Sequence, residues 1–546
     1  MTGAKDPSAR PGADQATEPG LRQALHRAAA RGRARWAENP TDFFRLEPPA
    51  APAIPPEPAR LSDPAGGRAD PAPEERMRPV NRVVAGLLTG IVLLAPLPAG
   101  SDRPAAWMLW STVLHATACL YLARTAATGA LGGMKLRRFP LLLLPLLLLG
   151  YGLLQTLPLA GLLRAWMLPL PDTGAPAPRS ISLAPEAGRI GLLRMSASCL
   201  FFVLMLEASG RRDRAQRIGM AIIAGIALYA VWGIVALKLL GDVHFWGPKQ
   251  AYRGVATGPF VNRNSFATFL GMGAVLGLAM IVERTRSRQV TPAGRHTAGP
   301  ETVSLALMWS ALALILICLV ATQSRMGLLA TVLGLAVVVA ISPRRPGIGG
   351  AKRTRRRWRI GLGPALLLGL GLLASSGIVE RSLFTLNNAD TRVEIYRQVL
   401  AMLADRPLTG FGADSFALAF ELYHRPALAT HLVWDHPHSS YLTLWSDFGL
   451  IFGSLLPLAG LAAGLHLARV LAGRREAVAL VVAALAVLVQ NAVHSLVDFS
   501  LEMQANLFVF LAILALGLSR RRLAVAASNR QTRGPAQAPP GTGIGA

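Results

Sequence analysis

The stretch HLVWDHPHSSYLTLWSDFGLIFG, residues 431–453, changes character along its length. It begins with a dense polar segment, Asp435-His436-Pro437-His438-Ser439-Ser440, and continues as an apolar run that reaches Gly453. Apolar runs of this kind are typical of helices that enter a lipid bilayer. The stretch therefore predicts two histidines and an aspartate at the mouth of a membrane span, where ionisable groups are costly and are most often functional.

The composition of the whole chain predicts many such spans. The 546 residues are 52% hydrophobic and 16% charged, with a mean hydropathy of +0.40, whereas soluble domains carry about 25% charged residues. Runs that reach the roughly 18–20 apolar residues needed to cross a bilayer recur along the chain. We predict an all-α polytopic membrane protein with about twelve transmembrane helices, at 82–99, 104–124, 139–160, 187–208, 217–240, 263–283, 303–322, 326–342, 360–377, 440–469, 477–496 and 503–519.

The net charge of +26 comes mainly from short basic links between these spans. If both termini are cytoplasmic, all of these links fall on the inner side, as the positive-inside rule requires. They include Arg124, Arg211, Arg284 and Arg474, and the run RRPGIGGAKRTRRRWR at 344–359. This distribution explains the basic charge by membrane topology, so we expect no nucleic-acid partner.

Composition divides the chain into three parts. Residues 1–79 are rich in Ala, Pro, Arg and Gly and are predicted to be a disordered, basic cytoplasmic tail. Within them LRQALHRAAARGRARWAE, 21–38, leaves open a basic helix on an anionic membrane surface. Residues 80–520 hold the spans, and 521–546 are predicted to be a second disordered cytoplasmic tail. We expect no signal peptide, because the first apolar run begins only near Val80.

The predicted outer side receives the unusual loops. They are 161–186, 241–262, the turn Gln323-Ser324-Arg325, 378–439 and 498–500. Loop 378–439 is far longer than ordinary connections and is predicted to be functional. Its segment TRVEIYRQVLAMLADRP, 391–407, has helical spacing, and Thr391 with Glu394 predicts a capping box at the start of that helix.

Asparagine and arginine gather where the sixth and eighth spans are predicted to begin. Asn262 and Asn264 precede an apolar run, so each can cap a helix N-terminus. A helix N-terminus near Arg253 also favours an anion such as phosphate, and both interpretations stay open. Arg325 stands in a short outer turn, against the positive-inside rule. It either snorkels to the interface or offers a planar donor fork to phosphate oxygens.

Further ionisable groups fall on the same side. Arg392 and Arg397 lie on the predicted loop helix, where a solvated face is the ordinary explanation for arginine. His494 and Asp498 are spaced i, i+4, and so are predicted to share one helix face. They are either functional or a buried hydrogen-bonded pair that fixes two helices.

We expect neither a metal site nor a cofactor site. His436 and His438 are two residues apart and separated by Pro437, which fits no standard zinc spacing. The three cysteines lie inside apolar runs and are expected to pack as small hydrophobic side chains. The chain contains no P-loop, no GxSxG and no dinucleotide fingerprint.

Five short patterns, taken in order, resemble the O-antigen ligase and polymerase family of membrane proteins. They are GPFVNRNSFA, SRMG, RQVLAMLADRPLTGFGADSF, HSSYLTLWSDFG and HSLVDF, within residues 80–520. Each pattern is short, and the ordered set is what carries the specificity. The chain departs from the family at Met326, which interrupts an Arg-Gly pair, at Asp447, where glutamate is common, and in its long basic tail.

The resemblance implies a metal-independent glycosyltransferase with a GT-C-like helical fold, in the bacterial inner membrane. Such an enzyme takes a polyprenyl-pyrophosphate-linked glycan at the periplasmic face and transfers it to lipid A–core oligosaccharide. On this chain the resemblance makes His438 the catalytic base, because HSSYL places the family's histidine there. The remaining expected site residues are Arg253, Arg325 and Arg392, which would bind the donor pyrophosphate, together with Asn262, Asn264, His494 and Asp498.

Two other functions stay open at this point. A polymerase of O-antigen or exopolysaccharide uses the same donor with another glycan as acceptor. A flippase or secondary transporter would more often place charges near the bilayer midplane, in two related halves of the chain. Here the unusual polar groups gather on one face, and we find no internal repeat. No cofactor is expected, because the lipid-linked donor arrives already activated.

Overall fold

The computed structural model describes residues 73–134, 140–159, 161, 179–288, 300–342, 386–428, 433–473 and 478–519. The described residues all belong to the unit Pro71–Ala546. Residues 1–72 of the first predicted tail, the second predicted tail at 521–546 and the predicted span at 360–377 lie outside the described residues. Residues 73–79, predicted to be disordered, instead belong to the helix Pro73–Arg76 and to the start of the helix Arg78–Leu94.

The described part is built almost entirely from α-helices. In chain order they are α1 (Pro73–Arg76), α2 (Arg78–Leu94), α3 (Pro104–Ala127), α4 (Leu143–Gln155), α5 (Pro185–Ala208), α6 (Arg212–Lys238), α7 (Arg263–Arg288), α8 (Pro300–Ala321), α9 (Arg325–Ile341), α10 (Leu386–Asp405), α11 (Phe416–Glu421), α12 (Ser440–Gly453), α13 (Leu455–Ala472), α14 (Ala479–His494) and α15 (Gln504–Leu518). Proline opens α3 and α5 in their first turn, a position where its missing N–H costs nothing.

Most of the predicted spans coincide with these helices. Within the described residues, six helices are long and apolar enough to cross a membrane, namely α3, α5, α6, α7, α8 and α13. Four shorter apolar helices occupy Pro140–Gln155, Arg325–Ile341, Ala479–His494 and Gln504–Leu518. A multi-pass helical membrane protein is thus confirmed, whereas a count of twelve spans remains a prediction.

Helix α7 is the centre of the bundle. It packs against α6, α8, α9, α14 and α15, and every residue from 265 to 282 is buried. Glycines allow close approach here, since a Cβ at Gly273 would come within 2.6 Å of the Ile226 side chain. The position of α7 is therefore set by protein contacts on all sides.

The bundle has two distinct ends. At one end Arg212 on α6 contacts Glu283 on α7 at 3.3 Å, and the other oxygen of Glu283 accepts the backbone N–H of Ala479 at 2.7 Å. At the other end, called the polar end here, Asn264 of α7 contacts Ser324 before α9 and Asp498 after α14. Among the described residues, the starts of α6 and α14 thus lie at the first end, and the starts of α7 and α9 lie at the polar end.

The long loop 378–439 does contain the predicted helix, with a different start. Helix α10 runs from Leu386 to Asp405, so Thr391 lies inside it and the predicted capping box is wrong. Glu394 instead accepts from the side chains of Arg397 and Gln398. The helix ends just before Arg406-Pro407, because the residue before a proline disfavours helical backbone.

The predicted continuous span at 440–469 is also corrected. Helix α12 is interrupted at Gly449, whose φ of 73° and ψ of 170° are not helical, and α13 starts at Leu455. The interruption frees the Leu450 N–H to bond with the carbonyl of Pro407 at 2.7 Å. An apolar run in the sequence shows where a helix can form. It does not show that the helix is interrupted at a glycine whose backbone contacts another loop.

A small hairpin is the one departure from an all-α fold within the described residues. Strand β1 (Val243–His244) pairs antiparallel with β2 (Gly247–Pro248), in the loop before α7. The ammonium group of Lys249 contacts Asp242 at 2.5 Å and the Val255 carbonyl at 2.7 Å, which fixes the rest of this loop.

The topology can be tested by cysteine labelling. Ala413 would be a natural probe position in the long loop, but it is only 3% exposed. Ala427 is exposed in the same loop, and Asp213 is exposed at the opposite end of the bundle. In a variant whose three native cysteines are alanine, we expect an impermeant maleimide to label Ala427→Cys in intact cells. Asp213→Cys should be labelled only after permeabilisation, and the reverse pattern would invert the topology.

Candidate active site

Asn264 joins three elements at the polar end. Its side-chain Nδ2 donates to Oδ2 of Asp498 at 2.8 Å, and its Oδ1 accepts from Oγ of Ser324 at 2.8 Å. Ser324 in turn caps α9 by accepting the Gly327 N–H. The amide of Asn264 therefore fixes the N-terminal ends of α7 and α9, and with them the neighbouring Arg263 and Arg325.

The neighbouring Asn262 acts as a helix cap. Its Oδ1 accepts the backbone N–H of Asn264 at 2.8 Å, and its carbonyl accepts the N–H of Phe266 at 3.2 Å. The capping interpretation therefore accounts for Asn262, as expected for asparagine at this position. A direct contact of either asparagine with substrate remains a prediction.

Asp498 is buried and held on several sides. It is 1% exposed, Oδ2 accepts from Asn264, Oδ1 accepts from Oγ of Ser500, and its carbonyl accepts the Ser440 N–H at 3.3 Å. The expectation that His494 and Asp498 share a helix face is wrong, because α14 ends at His494 and Asp498 lies in the turn that follows. His494 bonds instead with Oγ1 of Thr268 at 2.9 Å.

The polar segment before α12 is fastened to this same turn. Oγ of Ser439 donates to the Ser495 carbonyl at 3.2 Å, and the Ser440 N–H reaches that carbonyl at 3.1 Å. The hydroxyl of Tyr396 on α10 donates to the His438 carbonyl at 3.1 Å. These bonds hold His438 at a φ of 55°, a left-handed backbone that is uncommon outside glycine and often marks functional positions.

The imidazole of His438 sits between two aromatic rings. Its centroid is 6.2 Å from that of Trp434 and 5.4 Å from that of Phe499, both edge to face. Burial lowers the pKa of His438, and the nearby charge of Arg392 lowers it further, while Asp498 and Glu502 act in the opposite sense. The ring is thus neutral at neutral pH, which is the form that accepts a proton.

The adjacent His436 has the opposite electrostatic character. Its Nδ1 lies 2.9 Å from Oε2 of Glu502, and its ring stacks on Phe499 at 4.4 Å. Burial alone would lower the pKa of His436, but the hydrogen bond and charge of Glu502 outweigh it, so the pKa is raised. Oε1 of Glu502 accepts from Thr443 at 2.9 Å, which completes the pair. The pKa values of these two histidines are thus shifted in opposite directions, which suits the histidines to different roles.

Three arginines at the polar end are linked by their charges, and we call Arg263, Arg325 and Arg392 the arginine trio. The charges of Arg325 and Arg392 both act on Arg263, and the charge of Arg392 acts on His438. The guanidinium of Arg263 lies 5.7 Å from the ring centroid of Tyr252, and its Nε is buried without a hydrogen-bond partner in the described structure. A planar donor group held this way is ready for an anion with several oxygens.

Arg253 is placed differently from the trio. It is exposed, and its Nε donates to the carbonyl of Lys249 at 3.0 Å, within its own loop. The sequence pattern pointed to Arg253 as a donor-binding residue and not to Arg263. The signal for Arg263 was its position between Asn262 and Asn264, which ties it to a capped helix end. A role for Arg253 in binding remains a prediction.

Asp447 serves the scaffold of the long loop. Its Oδ2 accepts the Asp414 N–H at 2.9 Å, and its carbonyl accepts from Gly412 and from Nε2 of Gln155, each at 2.9 Å. These bonds attach the segment GFGADSF to α12 and α4. Asp447 is 6% exposed, so it holds the loop in place from the buried side of that loop.

Two glycines let this loop approach α12 so closely. A Cβ at Gly410 would lie 2.5 Å from the Asp447 carbonyl oxygen, and one at Gly449 would lie 2.2 Å from that of Leu408. Both glycines also have a positive φ, of 64° and 73°. The close backbone contact explains why both positions are glycine.

Replacing Gly449 by alanine is expected to destabilise the folded protein. Its φ of 73° and ψ of 170° lie in a region open almost only to glycine, so the backbone strain alone costs about 1–3 kcal/mol, and the clash with the Leu408 backbone adds to it. Thermal unfolding in detergent measures the effect. Gly277→Ala is the matched control, because a Cβ there meets no atom within 4 Å. Equal unfolding temperatures for both variants would contradict this account of the loop.

Metal coordination has no ready-made group of ligands in this part of the chain. Among the described residues, no three His, Cys, Asp or Glu side chains are placed to hold a metal ion. The acids closest to His438 are engaged with Asn264, Ser500, His436 and Thr443. Independence from metals remains a prediction.

Comparison with known proteins shows which protein family part of this chain matches. A search of curated proteins found no match. A family model described as O-antigen ligase matches residues 310–456, which include Arg325, Arg392 and His438. The matched part does not reach the ends of α7 and α14, where Asn262, Asn264, His494 and Asp498 lie. The resemblance seen in the sequence is thus confirmed over residues 310–456, which match the O-antigen ligase family model.

Proposed function

We propose that this protein is a glycosyltransferase of the O-antigen ligase type. It transfers a glycan from a polyprenyl-pyrophosphate carrier to lipid A–core oligosaccharide, at the periplasmic face of the bacterial inner membrane. The observation that carries the proposal is the convergence of a neutral His438 and the arginine trio at one end of an apolar bundle. The match of residues 310–456 to the O-antigen ligase family supports the class of reaction.

The arginine trio would bind the donor pyrophosphate. As the bond between the sugar and the phosphate oxygen breaks, negative charge grows on the departing pyrophosphate. Guanidinium groups in a partly buried site stabilise that charge more strongly than they would in water. Arg263 and Arg325 are fixed through Asn264 and Ser324, so little reorganisation is needed during the reaction.

His438 would act as the general base. The acceptor hydroxyl attacks the anomeric carbon of the donor sugar, its oxygen forms the new glycosidic bond, and its proton passes to the neutral imidazole. The electron pair of the broken bond leaves with the pyrophosphate, so the step needs no cofactor. Nothing in this reaction requires a metal, since the trio supplies the positive charge.

The membrane orientation belongs to the same proposal. We place both termini in the cytoplasm and the polar end in the periplasm, within a GT-C-like arrangement of about twelve transmembrane helices. The separation of the two bundle ends supports this orientation, because Arg212 and Glu283 lie opposite Asn264 and Asp498. The substrates at the polar end are then lipid-linked glycans that reach it from the outer leaflet.

A polymerase is the alternative within the same chemistry, since it uses the same donor and another glycan as acceptor. A flippase or transporter is a second alternative, which the position of the polar cluster at one end disfavours. Deletion of the gene, followed by gel analysis of lipopolysaccharide and of free glycan, separates the three. Uncapped core with lipid-linked polymer still made supports the ligase. A single repeat unit on the core indicates a polymerase, and loss of periplasmic glycan indicates a transporter.

The charge of Arg392 leads to a prediction about pH. The pKa of His438 is lowered by burial and by Arg392, against Asp498 and Glu502, while His436 also lowers it. A base works only when neutral, so kcat/KM should fall as pH drops through this lowered pKa. Arg392→Gln removes a positive charge, which raises the pKa of His438 and should move this acid limb to higher pH.

The profile of kcat/KM against pH in reconstituted protein measures the shift. Arg397→Gln is the matched control, because Arg397 is an exposed arginine of the same helix that pairs with Glu394. Its acid limb should coincide with that of the unmodified protein. If the acid limb of Arg392→Gln stayed at the same pH, then either the charge of Arg392 does not act on His438 or His438 is not the base.

A further inference from the structure

A half-open cavity lies at the loop that precedes α7, outside the predicted site. It has a volume of about 390 Å³ and is lined by residues that follow α2 and by the loop that carries the β1–β2 hairpin. Ligand pockets typically have volumes of about 300–1,000 Å³. Pro98, Pro248 and Pro259 contribute to its walls, and proline restricts the backbone that carries it. The cavity is therefore largely preformed.

The indole of Trp246 forms one wall and is oriented by the fold. Trp246 sits at the tip of the hairpin, where His244 pairs with Gly247, and its Nε1 donates to the Leu97 carbonyl at 3.0 Å. The residue is nevertheless 74% exposed. A fixed, accessible indole face is suited to stacking against the apolar C–H face of a sugar ring.

The polar groups of the cavity favour a negative charge. Arg103 and His244 line it, and the lining contains no aspartate or glutamate. The nearest acid of this loop, Asp242, is engaged by Lys249 and by the Gly254 N–H at 2.6 Å. Burial lowers the pKa of His244, so the ring is a neutral hydrogen-bonding group and Arg103 carries the charge. An anionic sugar meets both requirements.

The cavity adjoins the site from two directions. Pro259 and Val261 belong to its wall, and the chain continues from them directly into Asn262 and Arg263. On the opposite side, the charge of Asp102, the residue before Arg103, reaches His436. A molecule held in the cavity would therefore lie against the chain segments that lead into Arg263 and toward Asp102, whose charge acts on His436.

We propose that this cavity binds an anionic sugar of the acceptor glycan, one that carries a phosphate or a carboxylate. The assignment rests on the proposed function, in which two substrates must meet at the polar end. The trio provides three positive charges for the donor pyrophosphate, whereas the cavity offers a single cation, an indole face and a neutral imidazole. The cavity thus recognises a sugar with one charged substituent.

Direct binding tests the cavity without any need for transfer activity. Saturation-transfer NMR on the purified full-length protein in nanodiscs would compare glucose 6-phosphate with glucose. We expect glucose 6-phosphate to bind better, and Arg103→Gln to weaken it about tenfold, as loss of a charge-assisted contact predicts. Trp246→Leu should weaken both sugars. Arg189→Gln, an arginine paired with Glu186 outside the cavity, is the control and should bind as the unmodified protein does.

Two results would overturn the proposal. Equal binding of the two sugars, or unchanged binding in Arg103→Gln, would remove the anionic sugar from the cavity. Strong quenching of Trp246 fluorescence by brominated phospholipid, measured against Trp246→Phe, would show that the indole faces the lipid instead.

Kinetics then separates the acceptor from the donor. Arg103→Gln should raise the KM of the acceptor about tenfold and leave the KM of the donor unchanged. A rise in the donor KM alone would assign the cavity to the donor glycan and refute the acceptor assignment. Absence of transfer in the unmodified protein, with sugar binding intact, would instead count against the proposed function and leave the cavity as a sugar site.

Discussion

Replacement of His438 by alanine is expected to abolish glycan transfer in reconstituted protein. A positioned general base contributes about 10²–10⁴-fold to rate. His436 is committed to Glu502 at 2.9 Å and has a raised pKa, so it cannot substitute for its neighbour. Membrane insertion should be normal, because the polar segment is held by Ser439, Ser440 and Tyr396 rather than by the His438 ring.

Two variants sharpen this experiment. His436→Ala should be milder in transfer but lower the unfolding temperature, because it leaves Glu502 without its partner. His438→Gln keeps hydrogen-bonding capacity and removes basicity. Near-normal turnover in His438→Gln would show that position 438 only hydrogen-bonds a substrate and that no protein base is needed.

Replacement of Arg325 should have the second largest effect. Arg325 begins α9 next to its cap Ser324, and its charge acts together with that of Arg392 on Arg263. Charge-assisted hydrogen bonds contribute about 1.5–3 kcal/mol, so Arg325→Ala should lower kcat/KM by roughly 10–100-fold. Arg325→Lys retains the charge but loses the planar fork, and should recover only part of the rate.

The controls use other arginines of the chain. Arg397→Ala removes an exposed charge from α10 and should leave kcat/KM unchanged. Arg253→Ala tests the one predicted donor residue that the structure places in its own loop. Full activity in Arg325→Ala at normal protein levels would remove Arg325 from the site, and with it the trio as a pyrophosphate clamp.

The sequence predicted the bundle well because bilayer crossing imposes a strong, local constraint. Apolar length located α3, α5, α6, α7 and α8, whereas the orientation inferred from the arginines stays a prediction. The points where helices are interrupted or begin were harder to predict from the sequence. The break at Gly449 depends on its contact with Leu408, and the start of α10 at Leu386 precedes the capping residues Thr391 and Glu394.

The candidate site was predicted only in part, because most of its contacts join residues far apart in sequence. The motifs indicated His438, Arg325 and Arg392, and the described structure brings their neighbourhoods together. The His436–Glu502 pair spans 66 positions, from 436 to 502, and no local pattern announces it. The joining role of Asn264 is equally hidden, since its partners Ser324 and Asp498 are distant in the chain.

The burial of residues 265–282 in α7 has a consequence for how the protein responds to its membrane. Helices with lipid-facing sides adjust to bilayer thickness by tilting, but residues 265–282 of α7 touch only protein. The height of Arg263 and Asn264 is then set by neighbouring helices and not by acyl-chain length. Transfer should therefore change little between nanodiscs made from short-chain and long-chain phospholipids, and the donor must adapt its depth to the enzyme.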